Sequence, residues 1–136
     1  IASRGEVCRR YNAAFGSLPG VRIPESDFRE VSPFIYSLRI EGGRRAALIE
    51  HMRARGVAAG VHFLPVHQHA YFKEARRGPM PVTERAAEES ITIPLHSNMR
   101  PQFVERVIEA IVSFYRAPAS GTPRLSDSIP SPAAAT

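Results

Sequence analysis

Three of the five histidines of this chain crowd into one run, Gly60-Val61-His62-Phe63-Leu64-Pro65-Val66-His67-Gln68-His69. Imidazoles in such a cluster can ligate a metal, donate hydrogen bonds to a ligand, or shuttle a proton near neutral pH. On an extended segment His67 and His69 would point the same way, because side chains alternate with period two. His62 would complete a three-ligand set only if the turn at Pro65 folded it back, and no matched Glu or Cys stands nearby. A second reading presents the same groups to an anionic or sugar-like ligand, and a third leaves them as a solvated loop. Spacing alone does not separate the three.

Little else in the sequence offers chemistry. Cys8 lies beside a helical stripe with nothing adjacent to stabilise a thiolate, so it reads as a small packed residue. There is no Gly-rich phosphate loop opening a helix, no nucleophile elbow and no paired Cys motif. The acidic residues read as solvated helix faces. The net charge of +5 invites nucleic acid, but the basic residues are scattered and interleaved with Glu, which argues against that partner. No apolar run approaches the roughly 20 residues of a membrane helix, and no cleavable leader opens the chain. The expected location is cytoplasmic, in keeping with a single cysteine. At 136 residues with 43% apolar content, the chain fits one globular domain with one core.

The elements that must position the histidines follow from periodicity. Val7, Tyr11, Ala14, Phe15 and Leu18 form a helical stripe over Ala2 to Leu18, stopped by Leu18-Pro19-Gly20. Val21 to Pro24 is too short to assign, and Glu25 to Pro33 is a connector. Phe34 to Ile40 is aromatic and β-branched and predicts a strand. Arg44 to Arg55 predicts a helix with Ala47, Leu48, Met52 and His51 inward, ended by Gly56. Val57 to Phe63 predicts the next strand, and His69 to Ala75 a helical turn. Thr83 is placed to N-cap a short helix through Ser90, with Val82 and Ala87 as a hydrophobic staple. Ile91 to Leu95 predicts a strand. Pro101 opens a last helix that buries Val104, Val107, Ile108, Ile111 and Tyr115. Beyond Arg116 the composition turns to Ala, Pro, Ser, Gly and Thr, which predicts a disordered tail over Ala117 to Thr136. The architecture so read is α+β.

Four segments in order carry a family resemblance: Ala47-Leu48-Ile49-Glu50-His51-Met52-Arg53-Ala54-Arg55-Gly56-Val57, Gly60 through His67, Pro81-Val82-Thr83-Glu84-Arg85-Ala86-Ala87-Glu88-Glu89, and Ile93-Pro94-Leu95-His96. With their spacing, the chain resembles the C-terminal part of the DegT/DnrJ/StrS-type sugar aminotransferases, fold-type-I enzymes that use pyridoxal phosphate. The resemblance implies a small few-stranded antiparallel sheet covered by helices. It implies that residues 1–20 form the helix leading out of a large domain, that residues 21–116 form the small domain, and that the tail lies outside the match. It further implies amino transfer, usually from glutamate, to a nucleotide-linked keto-sugar by a homodimer.

The lysine that such a cofactor needs as a Schiff base belongs to the family's large domain, which would precede Ile1. Lys73, the sole lysine, does not match that motif. The sequence therefore offers no catalytic or metal-binding residue and does not single out a cofactor-binding one, and the isolated chain is expected to be inactive. The resemblance carries over a substrate-facing role to His62, Phe63 and His67. Where many members have a histidine in the preceding strand, this chain has Phe34. The competing expectation is a stand-alone binding module that uses the His62–His69 edge for an anionic ligand or a partner.

Overall fold

The computed structural model describes residues 2–31, 33–72, 74–75 and 78–116. The sole lysine, Lys73, and the tail for which disorder is expected both lie outside the described residues.

Helix α1 (Ala2–Phe15) buries Val7, Tyr11 and Phe15 together with Cys8, the one-face spacing of an amphipathic helix. It ends at Phe15, earlier than the expected Leu18, and Ala14 and Leu18 are only partly covered. The amide of Leu18 closes a turn on the Phe15 carbonyl at 3.0 Å. Gly20, at φ +73°, then reverses the chain into β1 (Val21–Arg22), a strand too short to read from sequence.

Strand β2 (Tyr36–Ile40) is the middle of a three-stranded antiparallel sheet ordered β1-β2-β3, with β3 spanning Ser90–Ile93. Val21 pairs with Ile40, and Tyr36 with Ile93. Alternation sends Tyr36, Leu38, Ile40, Ile91 and Ile93 into the core and leaves Ser37, Arg39 and Thr92 on the other face. Both strands are shorter than expected, by Phe34–Ile35 at one start and Pro94–Leu95 at the other end.

Helix α2 (Arg45–Arg53) buries Leu48 and Met52, whereas Ala47 is exposed, contrary to expectation. Its Cβ lies one position before the buried stripe of Leu48 and Met52. Its C-terminus closes as a Schellman motif: Gly56, at φ +70°, donates to the Arg53 carbonyl and Val57 to the Met52 carbonyl, both at 3.0 Å. Helix α4 (Pro101–Arg116) covers the inner sheet face with Val104, Val107, Ala110 and Ile111. Ile108 and Tyr115 prove only partly buried, because they flank that stripe. The core is thus sandwiched between sheet and helices, with α4 touching both α1 and α2.

Two polar ties run through this apolar body. The Tyr11 hydroxyl donates to the Pro94 carbonyl at 2.9 Å, and the Tyr36 hydroxyl to Asn12 Oδ1 at 2.7 Å. Both rings are fully buried, and each hydroxyl therefore needs the partner it has.

Candidate functional site

The expected strand over Val57 to Phe63 does not form. Val57 is buried, but Gly60 alone joins the sheet, exchanging hydrogen bonds with Thr92 at 2.9 and 2.7 Å. Ala58, Ala59 and Gly60 have little to hold a pleated ladder. After Gly60 the chain leaves the sheet, and Val61, Phe63 and Leu64 are exposed instead of alternating inward and outward.

His62 stands at this departure. Its ring packs edge-to-face on Phe63, centroids 5.1 Å apart, and lies so close over Gly60 that a Cβ there would sit 2.6 Å from Cε1. It has no hydrogen-bond partner among the described residues. Phe63 itself is 80% exposed. An imidazole with both nitrogens open beside an exposed aromatic face can hydrogen-bond and stack on a polar ring-bearing ligand.

Beyond Pro65 the backbone coils. Val66–Gln68 and Ala70–Phe72 form two 3-10 turns, with the Gln68 amide on the Pro65 carbonyl at 2.9 Å and the His69 amide on the Val66 carbonyl at 3.1 Å. The single helical turn expected over His69 to Ala75 is thus two tighter ones, beginning earlier. Because the segment coils, the shared direction that an extended one would give His67 and His69 does not arise. His67 turns inward, its side chain only 9% exposed, with Nε2 3.4 Å from Glu84 Oε1. His69 stays exposed, its Nε2 3.3 Å from the Leu64 carbonyl. Among the described residues no three of His, Cys, Asp and Glu converge as a metal site would require.

Glu84 belongs to α3 (Pro81–Glu89), which also corrects an expectation. Pro81 occupies the first turn and Met80 the cap position without a side-chain hydrogen bond, so Thr83 lies inside the helix. Pro fits there because its missing N–H would be unsatisfied in any case. Val82 is 79% exposed and forms no staple with Ala87.

Two other residues weighed for chemistry are held by packing. His51 is half-buried, with Nε2 3.0 Å from Ser113 Oγ, and burial, helped by Arg55, lowers its pKa. Cys8 is fully enclosed, and burial pushes its thiol up to about 11 against the pull of Arg9 and Arg4, which keeps it an unreactive thiol. Phe34, at the position where a histidine is common in the family resembled, is 80% exposed just before β2. The contact of His67 with Glu84 was not legible in the sequence. It joins residues far apart in the chain, and no local pattern marks it.

Residues 1–112 match the profile of the DegT/DnrJ/EryC1/StrS aminotransferase family. The chain is 27% identical to the uncharacterized protein MJ1066 of Methanocaldococcus jannaschii, over 79% of this chain and 30% of that protein. Among solved structures it is similar to the aminotransferase TlmJ of Streptoalloteichus hindustanus, with a TM-score of 0.72, 26% identity, and coverage of 86% of this chain and 33% of that one. It is similar also to DesV of S. venezuelae, with a TM-score of 0.73, 25% identity, and coverage of 85% and 32%. The chain thus spans about a third of the length of the relatives it matches.

Proposed function

Because the chain belongs to the DegT/DnrJ/EryC1/StrS aminotransferase family, whose enzymes use pyridoxal phosphate, we propose that it is the small-domain portion of a sugar aminotransferase. In this reading residues 21–116 form the small domain and residues 1–20 lead into it. The enzyme moves an amino group, with glutamate as donor, to a nucleotide-linked keto-sugar in the cytoplasm.

The observation that carries the proposal is His62, without a hydrogen-bond partner among the described residues, beside exposed Phe63 just past the point where the Gly60–Thr92 bridge ties the chain to the sheet. His62 donates to or accepts from the sugar nucleotide, Phe63 stacks on it, and His67 supports the same edge from beneath through Glu84. Val61, Leu64, Val66 and Tyr71 add exposed apolar surface along this stretch. Apolar patches of this kind are covered in working assemblies, and a homodimer with active sites near the subunit interface would cover this one.

The cofactor supplies the electron sink that lets an amino group move between carbons. The described residues do not fit its attachment, since they include no lysine, and Lys73 stands outside the family motifs. The reacting lysine is accordingly supplied from outside these 136 residues, and the chain alone is inactive.

The test is to purify this chain and, in parallel, the chain extended by the coding sequence upstream of Ile1. The extended protein should bind pyridoxal phosphate, acquire its visible absorbance and lose it on adding glutamate, while the shorter one stays colourless. A colourless extended protein in excess cofactor would sink the enzyme reading.

A further inference from the structure

A groove of about 520 Å³ lies where β1, β2 and α3 meet, and three arginines are among the residues that line it: Arg22, Arg39 and Arg85. Two carboxylates, Glu41 and Glu89, share the lining, which leaves the arginines in excess. Each carboxylate pairs with one arginine and fixes its orientation, and the excess charge is that of Arg85. Glu89 Oε2 accepts from Arg39 Nε at 3.0 Å and from Nη2 at 2.6 Å, and Glu41 accepts from Arg22 Nε. Arg39 Nη1 and both terminal nitrogens of Arg22 are left open, and Arg85 has no hydrogen-bond or ion-pair partner among the described residues.

Guanidinium forks match the oxygens of phosphate and carboxylate groups, and fixed forks lose less entropy on binding than free ones. A volume of this size falls in the range of small-molecule sites. The groove also has an apolar wall, Pro81 and the exposed Val82. A dianionic phosphate has three acceptor oxygens for the three arginines, and an organic substituent on it would lie against that wall.

We propose that this groove is a binding site for a phosphate monoester, with the phosphate on Arg85 and the open terminal nitrogens of Arg22 and Arg39, and the ester substituent over Pro81 and Val82. The assignment goes beyond the amino-transfer reading and stands or falls separately from it.

The experiment titrates the full chain with phenyl phosphate, inorganic phosphate and benzoate at constant ionic strength, following the arginine Nε–H resonances by NMR. Phenyl phosphate should shift the Arg85 signal saturably and bind more tightly than either control. Arg85→Gln should weaken phenyl phosphate by about tenfold or more, in line with loss of a charge-assisted pair. Because Arg85 has no partner among the described residues, the circular dichroism of the variant should be unchanged. Unaltered affinity in Arg85→Gln, or shifts that benzoate or sodium chloride reproduces, would overturn the site. Equal binding of phenyl phosphate and inorganic phosphate would overturn its assignment to an ester.

Discussion

Alkaline pH should unfold this chain through its own core. Tyr11, Tyr36 and Cys8 are fully buried. Burial pushes both phenols well above the ordinary tyrosine range and the thiol up to about 11, and a Cys8 thiolate would raise the phenols further. In the unfolded chain the thiol ionises near 9 and the phenols near 10. Each group is thus held protonated by the fold where the unfolded chain has released its proton. Its contribution is complete below the unfolded pKa and is lost as pH rises toward the folded one. Each such group costs about 1.4 kcal/mol per pH unit. Stability should therefore fall by about 1.4 kcal/mol per unit just above pH ~9, and by about 4 kcal/mol per unit once both phenols join above ~10. By pH ~11 these slopes add up to a loss of about 5 kcal/mol, the whole stability of a marginal fold and about a third of that of a very stable one. Urea unfolding at steps from pH 8 to 11 measures the slope, and phenolate absorbance with Tyr11→Phe and Tyr36→Phe assigns it. Stability that stays flat from pH 9 to 11 would contradict a fold that holds these three groups protonated. So would phenolate absorbance, lost in those variants, that develops near pH 10 while circular dichroism stays native.

Other perturbations have equally definite outcomes. Gly5→Ala would place a Cβ 2.6 Å from the Phe28 carbonyl oxygen, a clash with backbone; thermal unfolding should show a loss of roughly 1–3 kcal/mol. Ile111→Ala opens the centre of the α4 stripe and should cost roughly 2–5 kcal/mol by denaturant titration. The lowered pKa of His51 means the unfolded chain takes up a proton first, so stability should decline as pH falls below ~6.5, and His51→Phe should blunt that decline. In the extended enzyme, His62→Ala should weaken sugar-nucleotide turnover with cofactor loading intact; loss of cofactor instead would refute the substrate-facing role.

The parts legible in the sequence are those whose burial repeats along one local element. The stripe of Val104, Val107 and Ile111 predicts α4 because every turn returns to the same core, and Tyr36, Leu38 and Ile40 predict β2 for the same reason with period two. The Gly60 segment misleads because Val57, Val61 and Phe63 look like a strand, yet only Gly60 reaches a partner, and pairing is a property of Thr92 as much as of the segment. Thr83 is a good capping residue two places after a better start, Pro81. The histidines were recognisable as a group, but their divergence depended on coiling after Pro65 and on Glu84, neither of which their spacing encodes. The arginine groove joins three separate elements and left no local trace.

The Gly60–Thr92 bridge also bears on how such a chain can change over generations. Between Val61 and Met80 no described residue belongs to the buried core, and among the described residues it is Gly60, at the start of this stretch, that bonds to the sheet. Replacements at the exposed described positions there, such as Phe63, Leu64, Val66 and Tyr71, change the surface while the sheet and its helices keep their packing. A lineage can therefore vary this surface at little risk to folding, and the constraint falls on Gly60, where the stretch is anchored.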